Sequence, residues 1–335
     1  MKVNFKIGKL LLVAVILTMA ALVMLCAVAI SRYGDGHVAA YEATESAENT
    51  ATEHGVRNVL FMGFDDEAGL CDVMMLISLN SGSKSAAIAQ IPRDSYAKYT
   101  DASYKKLNGA YSSLGGAAEV ADFLGGAMGI DIHHYVCIDL NTLGNIVDAM
   151  GGVDIELPCN MYYVDEEQGL YIDLKKGSAH LDGDTAQQFV RFRSGYANGD
   201  LGRIDAQKLF MAAVFSKLCD EFSPVMGAKL MAAADGVETD LSVAELMSLG
   251  VGMLEIKAEN IYLMTLPGKQ ATALQSGASY YVIAAEPTAE IMARFFGRTA
   301  EFDADRVFLN SRYQEFSNIY FSNMEYTAIP IKDVF

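Results

Sequence analysis

The chain has 335 residues, of which 52% are hydrophobic and 20% charged, so it can form one large globular domain or two small ones. Its 42 acidic and 25 basic residues give a formal charge of −17, and such an acidic surface repels nucleic acid. We therefore expect no nucleic-acid partner. In so acidic a chain, a cluster of basic residues is a candidate binding site.

An uncharged run of 21 residues, 10–30, has the length of a membrane-spanning helix. Three lysines precede it, and the sequence becomes acidic soon after it. This asymmetry predicts a single-pass protein of the cell membrane, with residues 1–9 in the cytoplasm and the C-terminal domain outside the cell. A cleaved signal peptide is the alternative because Ala27-Val28-Ala29 resembles a cleavage site, but signal cores usually span only about 7–15 residues.

Residues 31–55 are polar, lack apolar periodicity and predict an extracellular linker. Strands and helices then alternate, which predicts an α/β fold with a central mixed β-sheet flanked by helices on both faces. We assign this domain to residues 56–297, and we assign no role to the C-terminal segment 298–335. The predicted strands are 58–62, 72–79, 85–91, 135–139, 153–157 and 261–266, and the predicted helices are 115–128, 141–150, 201–221, 224–234 and 289–297. The segment 186–193 begins as a helix and ends extended in this interpretation.

Four cysteines follow the predicted anchor, namely Cys71, Cys137, Cys159 and Cys219. Their spacing is wide and matches no zinc-binding pattern. We interpret them as buried thiols that act as small hydrophobic side chains, with extracellular disulfides as the alternative.

Three arginines are concentrated between Phe189 and Gln207. Arg191 and Arg193 are two residues apart in a β-like run, so we expect both side chains on the same strand face. Arg203 and Gln207 are four residues apart and share one face of a predicted helix. Guanidinium groups bind phosphate bidentately and stay charged, so the cluster predicts an anion site, with ordinary surface ion pairs as the alternative.

Two aspartates and a Pro-Arg-Asp corner complete the candidate site. Asp65 closes the first predicted strand and Asp72 opens the second, so the two face each other if the strands are neighbours. Two carboxylates beside an arginine cluster suit Mg²⁺, with Mn²⁺ as the alternative ion, although turn or capping roles would also explain each aspartate. Pro92-Arg93-Asp94 follows the third strand, at the sheet edge where open α/β sheets bind ligands.

Taken in order, these segments resemble the LytR-CpsA-Psr family of cell-envelope proteins. The resemblance covers residues 56–220 well and continues weakly to about residue 268. Each motif is weak alone, and the shared order and spacing make the resemblance specific. The motifs are Gly-Phe-Asp65, Asp72-Val-Met-Met-Leu, Ile-Pro-Arg93-Asp94, Lys106-Leu-Asn-Gly-Ala-Tyr111, Gly151-Gly-Val-Asp, Val-Arg191-Phe-Arg193 and Asp200-Leu-Gly-Arg203-Ile-Asp-Ala-Gln207.

The resemblance implies a phosphotransferase with a defined site. It would move an anionic glycopolymer, of teichoic acid or capsule type, from a polyprenyl-pyrophosphate carrier to peptidoglycan through a phosphodiester. By resemblance, Asp65 and Asp72 would hold Mg²⁺, and Asp94 would either orient an arginine or accept a proton. The residues implied for pyrophosphate binding and catalysis are Arg93, Arg191, Arg193 and Arg203, with Gln207 beside them.

Three positions depart from the family pattern, since many relatives carry arginine where this chain has Asp66, Leu70 and Ala206. Fewer cationic contacts to the pyrophosphate are therefore expected. This observation motivates two alternatives to the transferase, namely a non-catalytic protein that binds the lipid carrier or glycopolymer, and a pyrophosphatase that acts on the same carrier.

Overall fold

The computed structural model describes five continuous stretches, 55–65, 70–99, 105–166, 169–192 and 256–301, together with shorter segments. These segments are 210, 213–214, 217, 221, 223–233, 236–242, 245, 249, 316–317, 326 and 328–330. The predicted anchor, residues 10–30, lies outside the described residues, as does the predicted linker except for residue 55. None of the helices in the described part combines the length and the apolar character that crossing a membrane requires.

The described residues form strands β1 to β16 and helices α1 to α6, numbered in chain order. The strands are β1 Val56–Asp65, β2 Leu70–Asn80, β3 Ser85–Ile91, β4 Tyr96–Ala97, β5 Lys105–Lys106, β6 His134–Asp139, β7 Val153–Leu157, β8 Met161–Asp165, β9 Leu170–Leu174, β10 Gly177–Leu181, β11 Glu238–Thr239, β12 Ile261–Thr265, β13 Gly268–Ala273, β14 Ser279–Ile283, β15 Phe316–Ser317 and β16 Ile329–Pro330. The helices are α1 Ala110–Leu114, α2 Ala117–Met128, α3 Leu140–Ala149, α4 Gly183–Arg191, α5 Pro224–Ala233 and α6 Ala285–Phe295.

Contacts divide the chain into two units. The sheet unit comprises the described residues within 52–137 and 259–330, and the hairpin unit comprises those within 138–258. In the sheet unit, strands lie in the order β6-β1-β2-β3-β12-β16. The pairs β1–β2, β2–β3 and β12–β16 are antiparallel, whereas β3–β12 is parallel. The predicted α/β fold with a mixed central sheet is therefore confirmed.

Burial in the core of the sheet unit explains why the sequences of its strands are continuous apolar runs. All residues of β2 from Met74 to Leu79 are buried, so the central strand is shielded on both faces. Helices α2 and α6 cover one face, where Leu124 and Ile291 join Leu60 in one cluster. Burying each such side chain stabilises the fold by about 1.5–3 kcal/mol.

The C-terminal segment, to which the sequence assigned no role, completes two sheets. Ser317 and Phe316 pair with β13, and Ile329–Pro330 pairs with β12 at the edge of the central sheet. Proline lacks an N–H group and is tolerated in a strand at such an edge, where it limits further strand pairing.

The hairpin unit contains helices α3 to α5 and two antiparallel strand pairs, β7–β10 and β8–β9. Helix α3 begins at Asp139, whose carboxylate accepts the N–H of Thr142 at 2.6 Å. Helix α5 begins with the predicted Pro224 behind Ser223, whose hydroxyl accepts the N–H of Met226 at 3.2 Å. The Ser242-Val-Ala-Glu245 sequence, which is typical of a capping box, forms one here, because Glu245 and Ser242 exchange hydrogen bonds.

The segment that carries Arg191 is helical, which corrects one prediction. An Asp182–Thr185 capping box starts α4, and Ala186 and Phe189 are buried at helical spacing. Arg191 is the last residue of this helix, so the prediction that it projects from a strand face shared with Arg193 is wrong. The β-like appearance came from the apolar Phe-Val-Arg-Phe run, which the helical cap overrides.

Most of the predicted helix 201–221 lies outside the described residues. Its described positions, 210, 213–214, 217 and 221, are helical. Phe210 and Val214, four residues apart, are both fully buried, as an amphipathic helix requires.

The described cysteines are free thiols. Cys71 and Cys137 are buried, which confirms the interpretation as small hydrophobic side chains, and Cys159 is half-buried. Cys219 lies outside the described residues.

Candidate functional site

The Pro92-Arg93-Asp94 corner follows β3 and is held by backbone hydrogen bonds from two other segments. The N–H of Asn108 donates to the Arg93 carbonyl at 3.0 Å, and the N–H of Tyr281 donates to the Asp94 carbonyl at 2.8 Å. Proline ends the strand ladder because it has no N–H to donate. The corner therefore presents the Arg93 and Asp94 side chains from a fixed backbone at the end of the sheet.

A β-bulge places Asp72 beside this corner. Gly63 lies opposite Val73 and Phe64 lies opposite Cys71, so Asp72 is the extra residue of β2. The bulge explains why Cys71 and Met74, three residues apart, contact the same core cluster. Bulges redirect side chains and are common next to active sites. Here the bulge places an acidic residue between the buried Cys71 and the buried run from Met74 to Leu79.

Asp72 and Arg93 form an ion pair in which Nη1 of the guanidinium donates to Oδ1 of the carboxylate. Both side chains are 23% exposed, so the pair lies at the margin of the core and reaches solvent. A guanidinium carries five N–H donors, so binding one carboxylate is compatible with a phosphate contact by the same group. The ion pair therefore orients Arg93 and leaves N–H groups of its guanidinium able to donate to a phosphate.

A second ion pair adds a residue that the sequence interpretation had not assigned. Nζ of Lys106 lies 3.0 Å from Oδ1 of Asp94, and both side chains are more than a third exposed. Lys106 is fixed by the pairing of β5 with β4 and by the Tyr99 hydroxyl, which donates to the Lys106 carbonyl at 3.0 Å. The signal for Lys106 was its place in the ordered motifs, but only the fold shows that it meets Asp94.

The structure corrects the predicted relation between the two aspartates. Strands β1 and β2 are neighbours, as expected, but Asp65 lies opposite Leu70, and Asp72 is two positions further along β2. Leu70, rather than Asp72, therefore lies directly opposite the end of β1. The ring of Phe64 packs edge-on against Tyr111 at 4.7 Å, which fixes the end of β1 beside α1.

The donor set of this site fits one kind of metal site. Among the described residues no group of three or more His, Cys, Asp or Glu side chains could enclose an ion. Mg²⁺ commonly keeps several waters and is held by one or two carboxylates plus substrate phosphates. The Asp72 carboxylate has the chemistry of a metal site of that kind and does not suit an all-protein cage, whereas the side chain of the predicted second ligand, Asp65, lies outside the described part of the structure.

The remaining predicted residues do not belong to the sheet unit as described. Arg191 is half-buried at the C-terminal end of α4 in the hairpin unit, where a cation also stabilises the helix dipole. Arg193, Arg203 and Gln207 lie outside the described residues. The structure thus forms two ion pairs at adjacent residues of the corner, Arg93 with Asp72 and Asp94 with Lys106.

Two neighbouring groups are unsuited to acid–base chemistry. Burial raises the pKa of the Cys71 thiol to about 12, so it stays protonated at neutral pH. Burial also raises the pKa of Tyr281, and its hydroxyl donates to the Leu266 carbonyl at 2.9 Å. Both groups are structural, and the charged residues of the corner remain the chemically competent ones.

Comparison with known proteins gives a family match that covers most of the chain. The LytR_cpsA_psr family matches residues 28–295. The polyisoprenyl-teichoic acid–peptidoglycan teichoic acid transferase TagV of Bacillus subtilis is 30% identical over 204 residues, which are 57% of this chain and 51% of that protein. The chain thus spans about half the length of this relative. A transferase TagU of Halalkalibacterium halodurans is 30% identical over 63% of this chain and 73% of its own length.

The fold is shared with a solved relative. The crystal structure of B. subtilis TagV matches with a TM-score of 0.60 and 25% identity, and the match covers 74% of this chain and 100% of that one.

Proposed function

Because the chain belongs to the LytR_cpsA_psr family, we propose that it is a Mg²⁺-dependent phosphotransferase that attaches a glycopolymer to peptidoglycan. The observation that carries this proposal is the pairing of Arg93 with Asp72, beside a corner that also holds Asp94 and Lys106. Phosphoryl transfer needs positioned cations and a metal more than covalent help from the protein, and these residues offer two cations together with carboxylates of the kind that hold Mg²⁺.

The proposed reaction uses a polyprenyl-pyrophosphate-linked glycopolymer as donor. A peptidoglycan hydroxyl attacks the phosphorus that carries the glycan, and the bridging P–O bond breaks. Polyprenyl phosphate leaves, and the hydroxyl proton passes to a base. The names of the relatives, which are teichoic acid transferases, support an anionic polymer of the teichoic acid type, and a capsule-type polymer is the other candidate.

In this proposal Arg93 and Lys106 bind the pyrophosphate oxygens. Arg191, Arg193, Arg203 and Gln207 contribute further contacts, as the family resemblance implies. Cations placed where charge develops in the transition state lower the barrier because they need no reorganisation during the reaction.

Asp72 and Asp65 would hold the metal ion. Mg²⁺ or Mn²⁺ bound there supplies charge neutralisation for the pyrophosphate and for the leaving phosphate. Asp72 then has two roles, since it also orients Arg93.

The role of Asp94 follows from its partner. Its carboxylate lies 3.0 Å from the Lys106 ammonium group, so Asp94 positions a cation. This contact favours positioning over service as the general base.

We place the catalytic domain outside the cell, anchored to the membrane by residues 10–30. The uncharged run and the lysines before it support this topology. The lipid carrier and peptidoglycan are both reached from that side of the membrane.

A transfer assay with the full chain tests the proposal. Detergent-solubilised protein is mixed with MgCl₂, a polyprenyl-pyrophosphate-linked glycan and peptidoglycan oligomers, and glycan attached to the oligomers is measured. We expect attachment by the wild type and loss of attachment in Arg93→Ala. The control is Arg294→Ala, which removes an exposed arginine that lies over the ring of Phe295.

The products separate the three candidate functions. Binding of the lipid-linked glycan without turnover would indicate a non-catalytic binding protein, and release of free phosphorylated glycan would indicate a pyrophosphatase. Wild-type attachment rates in Arg93→Ala would refute the assigned site.

A further inference from the structure

The solvent face of the β8–β9 hairpin is unusually aromatic for an exposed sheet face. In this pair Tyr162 lies opposite Asp173 and Val164 lies opposite Tyr171. One face of the hairpin carries the buried Met161, Ile172 and Leu174, beside Tyr163, which is 36% exposed. The other face exposes Tyr162 at 65%, Tyr171 at 56% and Val164 at 42%. Contiguous exposed apolar side chains of this size mark a binding surface.

The two tyrosines form an organised pair. Their ring centroids are 6.4 Å apart with planes at 84°, which is an edge-to-face arrangement. Within the part of the chain that the structure describes, neither hydroxyl takes part in a hydrogen bond. Tyrosine offers a large contact area at a low entropic cost because it has few rotatable bonds. The pair therefore presents ring surface and two hydroxyl groups to a ligand.

The charge of the hairpin limits what that ligand can be. Residues 160–176 contain four acidic and two basic residues, and Lys175 is engaged by Asp173 at 2.5 Å. A negative surface repels anionic lipids and anionic polymers. Uncharged sugar rings fit, because their polarised C–H bonds are attracted to the negative face of an aromatic ring and their hydroxyls donate to carboxylates.

The position of the hairpin connects it with the proposed reaction. The N–H of Asp173 donates to Oε1 of Gln188 at 3.4 Å, so β9 lies against helix α4. Gln188 and Arg191 are three residues apart in this helix and therefore share a face. The hairpin thus borders the helix face that ends in a predicted pyrophosphate ligand.

We propose that the Tyr162–Tyr171 face binds uncharged amino-sugar rings of the peptidoglycan glycan strand and so holds the acceptor. This inference rests on the proposed function for the identity of the acceptor. The binding of sugar by this aromatic surface can be measured without any transfer reaction.

Binding is tested on the full chain with chitotetraose, a neutral amino-sugar oligomer, by isothermal titration calorimetry without lipid donor. Tyr162→Ala and Tyr171→Ala should each weaken binding by at least about tenfold, as expected for aromatic anchors. Tyr162→Phe keeps the ring and should stay within about threefold of wild type. Val225→Ala, which removes an exposed apolar side chain elsewhere in the same unit, should leave binding unchanged.

The transfer assay separates failure of this inference from failure of the proposed function. With peptidoglycan oligomers, the alanine variants should raise the KM for the acceptor about tenfold and leave kcat near wild type, because uniform binding is lost. If the chain binds chitotetraose through these tyrosines but transfers nothing, the proposed function fails and the sugar surface stands. If the variants bind and transfer like wild type, the sugar surface is refuted.

Two other occupants would also overturn the inference. Self-association of the wild type that Tyr162→Ala abolishes, measured by sedimentation, would identify the face as an interface between two copies. Binding to anionic phospholipid vesicles that the same substitution abolishes would identify a membrane contact.

Discussion

The Asp72–Arg93 ion pair gives a quantitative test of whether the corner is a site or only a structural contact. The perturbation is a double-mutant cycle of Asp72→Ala, Arg93→Ala and the double variant. Each side chain is 23% exposed, so the pair lies between the surface and buried limits. Removing one partner of a charged hydrogen bond in such a setting should lower the free energy of unfolding by about 1–3 kcal/mol. The interaction energy of the cycle should be about 1–2 kcal/mol.

Stability is measured by urea unfolding of the full chain, and activity is measured as glycan attachment under conditions where every variant is folded. In the stability cycle the double variant should lose less than the sum of the single variants, because neither charge is left unpaired. In the activity assay the double variant should transfer no faster than the single variants. Each variant should lose about 10²–10³ in rate, the typical effect of removing one preorganised stabilising group. A functional site is therefore expected to show stability that is partly restored in the double variant and a transfer rate that is not.

The control cycle uses Lys217 and Glu221, a pair at i,i+4 with 2.7 Å between Nζ and Oε2. Pairs of this type contribute about 0.3–0.5 kcal/mol, and these variants should transfer at the wild-type rate. The reasoning fails if the Asp72–Arg93 interaction energy is no larger than in this control. It also fails if the double variant recovers transfer together with stability, because the pair would then be structural.

Three further predictions concern groups near the site and in its supporting core. Lys106→Gln should reduce transfer about tenfold while changing the free energy of unfolding by less than about 1 kcal/mol, since the pair of Lys106 with Asp94 is largely exposed. Lys106→Arg keeps the charge and should retain most of the activity. Equal transfer rates in the two variants would exclude a role for the charge. Burial lowers the pKa of His133 from its ordinary value of about 6.5, and Nδ1 of its ring accepts the N–H of Asn58 at 3.1 Å. The unfolded chain protonates His133 more readily than the folded chain does. The stability that the neutral imidazole contributes is therefore complete above about pH 6.5 and is lost as the pH falls through the pKa of the folded state. In urea unfolding, the free energy of unfolding of His133→Gln should depend less on pH than that of the wild type. Cys71, whose pKa is about 12, should resist iodoacetamide in the folded protein and react after denaturation, and rapid native labelling would contradict its burial.

Much of the sheet unit could be predicted because its strands are apolar runs with clear ends. The strand over 85–91 has the predicted bounds, since Ser81-Gly82-Ser83 and Pro92 mark both sides. The caps of α5 and of the helix after Ser242 were predictable for the same reason, because capping is local chemistry. Local signals thus fixed where elements begin and end.

The site was less predictable because it depends on register and on tertiary pairing. A one-residue bulge decides that Asp72 leaves the strand toward Arg93, and nothing in the sequence marks that position as a bulge. The pairing of Asp94 with Lys106 requires β5 to return beside β4, and these strands are only two residues long. The helix that ends at Arg191 was misread because the apolar run after Gln188 suits either element.

The charge balance of the corner bears on the proposed Mg²⁺ dependence. Arg93 is paired with Asp72 and Lys106 with Asp94, so these four side chains together carry no net charge. Asp66 and Leu70, which stand where the family resemblance implies arginines, add no cation to the sequence. A pyrophosphate diester brings about two negative charges, and a neutral cluster gives them little electrostatic stabilisation. A divalent ion on the carboxylates would reverse that balance, so the proposed transfer should depend steeply on Mg²⁺, and full activity in the presence of a chelator would refute the need for a metal.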